Sequence, residues 1–444
     1  MDAHTSSLLL SRMQFGANIT FHILFPTISI ALGWVLFYWR AKAVYTGESR
    51  WMDSYKYWVK VFALTFALGA VSGITMSFQF GTNWPGFMKT VGNVAGPLLA
   101  FEVMSAFFLE ATFLGVMLFG MRKVPPKVHL AATGIVAFGT TMSAGWIVAL
   151  NSWMHTPAGF VMLKGQAHVT SWLHVIFNPS FPYRLLHTLV ASGLTVAFLI
   201  AGISAYRILK GYRGADVRSA LKMATWIAAV LIPVQIALGD AHGLNTLKYE
   251  PAKLAAMEGL WDTEKGVPMV LFAVPDSVTR SNKLEVSIPK LASIYLTHSL
   301  DGEVKGLNSF DKTPPVAPVF FAFRAMIGVG MLMLLVSWTA VWVQRHGREL
   351  GRFWLKTLVA MTFSGWIAIT AGWYVTEIGR QPWLVTGVLT TAQAATTAPA
   401  SMIASTLVMY LVLYLVLGAS YISVLFQLAR KANQAAIQSG VKHA

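Results

Sequence analysis

Long apolar runs with few charged positions recur along the whole chain. Within them, apolar residues are continuous and do not alternate strictly with polar ones. A helix needs about 20 apolar residues to cross a bilayer, and in lipid it satisfies its backbone hydrogen bonds internally. The pattern therefore predicts an all-α integral membrane protein with nine transmembrane helices. Their predicted positions are 15–39, 57–80, 94–120, 129–152, 184–209, 218–239, 317–344, 355–376 and 399–428.

The loops between these runs alternate in charge. Basic residues cluster in the first, third, fifth and seventh loops and in the C-terminal tail, whereas the second and eighth loops carry one each. Because basic loops face the cytoplasm, we expect the N-terminus outside and the C-terminus in the cytoplasm. The first run lacks a basic leader, so we expect a retained helix.

The domain organisation predicted from this pattern is a single transmembrane domain, 1–444. Its largest polar segment is the outer loop 240–316 between the sixth and seventh helices. Such a loop is a candidate docking site for a substrate or partner, and the alternative is a covering loop without chemistry.

Composition supports a membrane protein. Hydrophobic residues make up 55% of the 444 residues and charged residues only 12%, about half the charged share of a soluble domain. The formal net charge of +16 would suggest nucleic acid binding in a soluble protein, but here the basic residues lie in short loops. The chain has no cysteine, which excludes disulfides, thiolate metal sites and covalently attached c-type haem.

Ionisable side chains inside the spans are few. Of eleven histidines, only His22 and His187 lie clearly within a span. A straight helix would separate Glu102 and Glu110 by about 12 Å along its axis and about 80° around it, so both can face one interior path. Glu377 ends the eighth span. Because charge in lipid is costly, such residues mark proton, ion or cofactor sites.

Other histidines lie in loops or at span ends, and we expect His155, His242 and His346 to be ordinary surface residues. Arg324 and Met326 open the seventh span. Imidazole and methionine sulfur are ligands of b-type haem iron, but a lone Met among 20 fits core packing better. Buried glutamates suit a proton or cation transporter equally. These residues alone therefore leave open a membrane redox protein or an ion-coupled transporter.

Five segments carry a resemblance to a known family. They are SRMQFGANITFHILF at 11–25, FQFGTNW at 78–84, GPLLAFEVMSAFFLEATF at 96–113, VAPVFFAFRAM at 316–326 and GWYVTEIGRQPW at 372–383. Their order, and essentially the whole chain, resembles subunit I of cytochrome bd-type quinol oxidases. The resemblance implies an enzyme of the bacterial inner membrane that oxidises ubiquinol or menaquinol and reduces dioxygen to water. It also implies that a proton-motive force is generated without a pump.

The resemblance implies haem contacts residue by residue. His187 and Met326 match the axial ligands of a low-spin haem b, and Arg324 matches an arginine beside it. The residues that match the surroundings of two high-spin haems, one of them reducing oxygen, are His22, Glu102 and Glu377. The residues that match packing around the haem cluster are Arg380 and Trp373.

The same resemblance implies proton and quinol sites. Glu110 and Ser143 match a hydrophilic route for cytoplasmic protons. Lys253 and Glu258 match polar residues of the quinol-binding loop. The short stretch 266–316 resembles the short-loop branch, which includes cyanide-insensitive oxidases, so the third haem is a haem d or a further haem b. Expected partners are subunit II and a small single-span subunit, with no nucleic acid.

Two other functions are weighed against the oxidase. A transporter using Glu102, Glu110 and Glu377 for protons predicts no visible chromophore. A haem-based electron carrier without oxygen chemistry predicts low-spin haem only, with Glu102 and Glu377 dispensable for haem content. The five segments favour the oxidase.

Overall fold

The structure is a computed structural model that describes residues 3–438. Nine segments of this range are long and apolar enough to cross a membrane, so the predicted all-α membrane fold is confirmed. The helices are α1 (Ala3–Ile23), α2 (Pro26–Thr46), α3 (Ser49–Thr82), α4 (Pro85–Phe101), α5 (Phe108–Phe119), α6 (Pro126–His155), α7 (Trp172–Ile176), α8 (Phe181–Leu209), α9 (Ala215–Tyr249), α10 (Pro251–Glu258), α11 (Leu291–Thr297), α12 (Val316–Arg345), α13 (Arg352–Ala360), α14 (Ser364–Gly379), α15 (Thr391–Ala394) and α16 (Ala400–Gln438).

The strands form four two-stranded antiparallel pairs. They join β1 (Phe160–Leu163) to β2 (Gln166–Val169), β3 (Glu264–Lys265) to β6 (Glu303–Val304), β4 (Met269–Asp276) to β5 (Ser281–Ile288), and β7 (Trp383–Val385) to β8 (Leu389–Thr390). All four pairs lie in connections between the membrane helices, where turns and hairpins satisfy the backbone outside the long helices.

Three of the nine spans are interrupted, and the prediction of one continuous helix over 15–39 is wrong. The chain turns between α1 and α2, where Pro26 has no backbone N–H to continue the hydrogen-bond ladder. A π-helix, Glu102–Phe107, separates α4 from α5. A turn at 361–363 separates α13 from α14. Apolar composition carries no signal for such breaks, since the flanking residues remain equally hydrophobic.

Helix α8 is the centre of the bundle. Of its most apolar window 72% is buried, against 17% for that of α16. Small residues allow this, because a Cβ added at Gly202 would lie 2.8 Å from the Leu358 carbonyl oxygen, and one at Gly365 would lie 2.6 Å from Thr195 Cα. Close backbone approach of this kind is how helices associate in lipid. It brings α13 and α14 directly against α8.

The large loop begins later than predicted. Helix α9 continues to Tyr249, so 240–249 is helical and the loop proper is 250–315. It contains α10, α11, the β3–β6 pair and the β4–β5 hairpin. Its own small core packs Leu254, Leu260, Val267 and Leu296 together. The loop is therefore a folded unit seated on the ends of α9, α12 and α14.

Candidate functional site

Four helices surround the side chains of His187 and Met326. Helices α8 and α12 each pack along both α9 and α14, which puts α8 and α12 at opposite corners of a square. His187 lies in the second turn of α8, and Met326 lies in the third turn of α12. The predicted pair of ligands therefore comes from opposite sides of one group of helices.

Each of these two side chains faces a glycine on a neighbouring helix. A Cβ at Gly239 of α9 would lie 3.5 Å from His187 Cε1, and one at Gly372 of α14 would lie 3.1 Å from Met326 Sδ. The Nδ1 atom of His187 is buried without a hydrogen-bond partner in the described chain. The ring of His242 lies 5.6 Å away, between centroids. A flat group ligated by imidazole and thioether fits this setting.

His22 lies in the last turn of α1, just before the break at Pro26. Its Nδ1 is 3.0 Å from the hydroxyl of Ser72 on α3, and a Cβ at Gly73 would lie 3.2 Å from its Cε1. A hydrogen bond to one ring nitrogen orients an imidazole whose other nitrogen ligates a metal. Ser72 is a partner that the sequence did not indicate.

The two glutamates of the third span both face α6. Ser143 Oγ donates to Glu102 Oε1 at 2.7 Å. A Cβ at Gly139, one turn earlier on α6, would lie 2.6 Å from Glu110 Cγ. The π-helix that begins at Glu102 changes the angle expected for a straight helix. Facing a common helix nevertheless agrees with the expected shared interior path, and Ser143 lies beside it.

A buried ionic network joins the ends of α6, α8, α10 and α14. We call it the buried network, and its members are Asn151, His155, Arg184, Glu250, Lys253, Glu377 and Arg380. Glu250 is its centre: it accepts from Lys253 Nζ at 2.7 Å, contacts His155 Nδ1 at 2.7 Å and accepts from Arg184 Nη2 at 2.9 Å. The prediction that His155 is a surface residue is wrong, since only 1% of it is exposed.

Glu377 occupies the other side of the buried network. Its carboxylate accepts from Asn151 Nδ2 at 2.7 Å and from Arg380, and it lies 3.8 Å from His155 Nε2. Lys253 packs along the backbone of α14, because a Cβ at Gly379 would lie 2.8 Å from Lys253 Cγ. Trp373 is half-buried and lies four residues before Glu377 on α14. The candidate quinol residue Lys253 and the candidate haem residue Glu377 are thus members of one network.

The guanidinium groups of the buried network have hydrogen-bond donors without an acceptor in the described chain. Arg184 Nε and both Nε and Nη1 of Arg380 are buried without a partner in the described chain. The network holds three basic residues, Arg184, Lys253 and Arg380, against the two carboxylates of Glu250 and Glu377. Buried donors normally have acceptors, and guanidinium pairs well with carboxylates. Anionic propionates of a haem fit these donors.

Burial and neighbouring charges shift the pKa values of the network residues that lie in the loop, Lys253 and Glu250. Burial lowers the pKa of Lys253 to about 8, although Glu250 acts in the opposite direction. Burial alone would raise the pKa of Glu250, but His155 and Lys253 hold it well below its usual range. Glu250 is therefore the anion around which Lys253 and Arg184 gather.

Glu258 and Arg324 meet at the other end of α10. Glu258 is buried, which raises its pKa, while Arg324 Nη2, 3.7 Å from its Oε2, acts in the opposite direction. Arg324 also donates to the carbonyl oxygens of Met257 and Val270, and its guanidinium lies 3.7 Å from the centroid of the Phe320 ring. Arg324 thereby fastens α10 and β4 to α12, and its guanidinium is engaged with the loop.

Within the described residues, no three His, Asp or Glu side chains converge as a direct metal-ion site. Haem iron needs only one or two protein ligands, so dispersed ligands agree with haem. A family model for cytochrome bd terminal oxidase subunit I matches residues 10–433. The chain belongs to this family.

Individual relatives agree with this family. Cytochrome bd ubiquinol oxidase subunit 1 of Bacillus subtilis (strain 168) is 34% identical over 88% of this chain and 86% of that protein. Cytochrome bd-II ubiquinol oxidase subunit 1 of Escherichia coli (strain K12) is 32% identical over 90% of this chain and 92% of that protein. The structure of bd oxidase from Geobacillus thermodenitrificans matches with a TM-score of 0.89 and 31% identity, covering 97% of this chain and all of that one.

Membership confirms the coarse predictions. As a cytochrome bd subunit I, the chain is the haem-containing large subunit of a terminal quinol oxidase, a quinol:oxygen oxidoreductase with a partner subunit. It is a multi-pass protein of the bacterial inner membrane. The transporter and the pure electron carrier are thereby set aside.

Four members of the buried network were not predicted from the sequence. Asn151, His155 and Arg184 lie at span ends, where polar residues usually reach water, and Glu250 lies in the loop. His242 was also expected at the surface, but it is half-buried on α9 against His187. His346 is exposed, as expected. The only sequence signals for the network were weak ones: His155 follows a span end closely, and Glu250 is an acidic residue in the loop.

Proposed function

We propose that His187 and Met326 would hold the iron of a low-spin haem b, which would supply single-electron transfer from quinol. The remaining candidate ligands would hold two high-spin haems, a haem b and either a haem d or a further haem b. Neither His22 nor Glu377 is assigned to one particular iron. Those candidate ligands are His22, Glu102 and Glu377. Arg324, Arg380 and Trp373 line or support the haem cluster.

The observation that carries this proposal is the placement of His187 and Met326 at opposite corners of one four-helix group, each against a glycine. Iron with both axial positions filled passes single electrons, whereas iron with an open position binds dioxygen. The spare donors of Arg184 and Arg380 support anionic propionates at the buried network.

Glu110, Ser143 and Glu102 are proposed to deliver protons to the oxygen-reducing site. The Glu110 side chain lies against Gly139, and Ser143 and Glu102 follow along α6. Both glutamates contact residues of α6, which supports a proton route between them. Reduction of one dioxygen to two waters uses four electrons and four protons, which we propose are drawn from the cytoplasm.

Lys253 and Glu258 are proposed to bind the quinol at the loop 250–315. The ammonium of Lys253 and the carboxyl of Glu258 can each hydrogen-bond a hydroxyl of a quinol, ubiquinol or menaquinol. Two quinols supply the four electrons and release four protons. With the loop and the N-terminus outside and the C-terminus in the cytoplasm, this release generates proton-motive force without a pump. Subunit II and a small single-span subunit are the proposed partners.

The experiment is a dithionite-reduced minus air-oxidised visible spectrum of the purified complex, with a carbon monoxide difference spectrum beside it. We expect one low-spin component that ignores carbon monoxide and a high-spin component that binds it. A far-red band identifies haem d, and its absence identifies a further haem b of the short-loop, cyanide-insensitive type. Low-spin bands without any response to carbon monoxide would contradict the proposed oxygen site.

A further inference from the structure

The β4–β5 hairpin carries an apolar surface that the described chain leaves uncovered. Its exposed large apolar side chains are Leu271, Phe272, Val274, Leu284, Val286 and Ile288. In water, an isolated two-stranded hairpin is marginally stable, and an exposed apolar strand tends to pair with other chains. A contiguous apolar surface of this kind marks contact with a membrane or with a protein.

The length of α12 indicates the depth at which the hairpin lies relative to the bilayer. Its 30 residues make it about 45 Å long, whereas the hydrocarbon layer is about 30 Å thick. Arg345 ends the helix at one polar surface and is followed by further basic residues. The excess length of about ten residues therefore lies at its beginning. Phe321 and Arg324 belong to this part and stand at headgroup level.

Strand β4 lies beside this headgroup-level part of α12. The rings of Phe272 and Phe321 are 6.4 Å apart between centroids, and Arg324 Nη2 donates to the Val270 carbonyl oxygen at 2.6 Å. Val286 stands opposite Phe272 in the hairpin register, and 57% of it is exposed. The apolar surface thus lies at the boundary between headgroups and acyl chains.

The apolar surface of the hairpin also continues the exposed side of α12. Phe321 is exposed, and so are Leu335, Trp338 and Trp342 further along the same helix. Since α12 crosses the membrane, an exposed apolar stripe along it suits contact with acyl chains. Phe272 extends that stripe into the hairpin, because its ring lies 6.4 Å from that of Phe321 between centroids.

We propose that the β4–β5 hairpin is a membrane-interface anchor whose apolar face contacts lipid acyl chains. Arg280, near its tip, is exposed and has no ion-pair partner in the described chain, so it suits a lipid phosphate. Lys283 forms an ion pair with Asp276 at 2.6 Å and is therefore less available to a lipid phosphate.

Anchoring the hairpin would hold the rest of the loop in place. Asn282 of β5 donates to the Gly259 carbonyl oxygen and accepts from Trp261 Nε1, both at 2.9 Å. Gly259 directly follows α10, whose last residue is Glu258. Contact between the hairpin and lipid would therefore help to fix the position of α10 against α12.

The absence of cysteine makes the chain suitable for a direct test. A nitroxide is attached to Val286→Cys in the complete complex, reconstituted in vesicles of phosphatidylcholine and phosphatidylglycerol. Collisions with oxygen, which concentrates in lipid, are compared with collisions with a water-soluble nickel chelate. We expect a several-fold preference for oxygen. The unsubstituted complex, treated identically, gives the background from cysteines of other subunits.

Glu264→Cys is the matched control, because Glu264 is exposed on the charged β3–β6 pair of the same loop. We expect it to prefer the nickel chelate. A nickel preference at 286 would place the hairpin in water, and low collision rates with both reagents would mean that a protein partner covers it; either result overturns the proposal. Leu271→Cys is measured in parallel, so misfolding of one variant still leaves a decisive measurement.

Discussion

His155 Nδ1 lies 2.7 Å from Glu250 Oε1, so one imidazole joins the end of α6 to the start of the large loop. The other ring nitrogen, Nε2, lies 3.8 Å from Glu377 Oε1 at the end of α14. His155 therefore stands between the carboxylate that holds Lys253 and the carboxylate proposed to ligate haem. The seat of the loop and the position of Glu377 depend on the same side chain.

Removing the central carboxylate of the buried network should destabilise the protein. Glu250→Ala leaves Arg184 and Lys253 buried without their anion, and breaking a buried pair costs about 3–5 kcal/mol in free energy of unfolding. Thermal unfolding of the purified complex measures the effect. Glu349→Ala is the control, because its pairs with Arg213 and Arg218 are exposed and each is worth about 0–1 kcal/mol. Equal losses in both variants would contradict the importance of the network.

Two methionines on α12 separate ligation from packing. Met326→Leu keeps the apolar volume at a cost below about 1.5 kcal/mol but removes the sulfur. We expect the low-spin band in the reduced spectrum to be lost or converted to high spin. Met331→Leu, five residues further at an exposed position, should leave the spectrum unchanged. An unaltered low-spin band in Met326→Leu would rule out this ligand.

The number of spans and the intramembrane histidines could be predicted from the sequence for a physical reason. Lipid demands long apolar helices, so hydropathy reveals them directly, and a charged or polar group within them is costly enough to indicate a site. His22 and His187 stood out on that ground. Met326 did not, because a methionine in an apolar run has no such cost, and only the resemblance singled it out.

The interruptions and the buried network could not be predicted from the sequence. The π-helix at Glu102–Phe107 consists of residues that suit an α-helix equally well. His155 is buried only because α10 and α14 meet the end of α6, and this contact joins residues about one hundred and more than two hundred positions apart. Hydropathy reports on single segments, so a charge balanced by a distant partner looks like a surface residue.

A glycine on α6 tests the proton route without removing a carboxylate. In Gly139→Ala the new Cβ would lie 2.6 Å from Glu110 Cγ and must displace that side chain. We expect oxygen reduction to slow by about tenfold with haem content unchanged, while Glu110→Gln, which cannot transfer a proton, should slow it by about a hundredfold or more. Turnover is followed with an oxygen electrode.

The matched control for this route is Gly145→Ala on the same helix, where an added Cβ has no neighbour within 4 Å. It carries the same helix-stabilising change without touching Glu110, so its turnover should equal that of the unsubstituted enzyme. If Gly145→Ala slowed turnover as much as Gly139→Ala, the effect would come from helix rigidity and not from Glu110.

The pH dependence of quinol binding should follow the protonation state of Lys253. Burial lowers its pKa from 10.5 to about 8, so the side chain is charged below pH 8 and neutral above it. If the ammonium binds the quinol head, KM for quinol should rise above pH about 8, by up to tenfold per pH unit once the neutral form dominates. Steady-state kinetics between pH 6.5 and pH 9.5 give the profile.

Unfolding would not produce this profile, because the linkage has the opposite sign. Between pH 8 and pH 10.5 the unfolded chain still holds the Lys253 proton that the folded chain has lost, so the contribution of this residue to stability increases with pH. Lys253→Arg provides the decisive comparison, since a guanidinium stays charged over the whole range. Its KM should remain flat, and a rise identical to that of the unsubstituted enzyme would assign the pH dependence to another group.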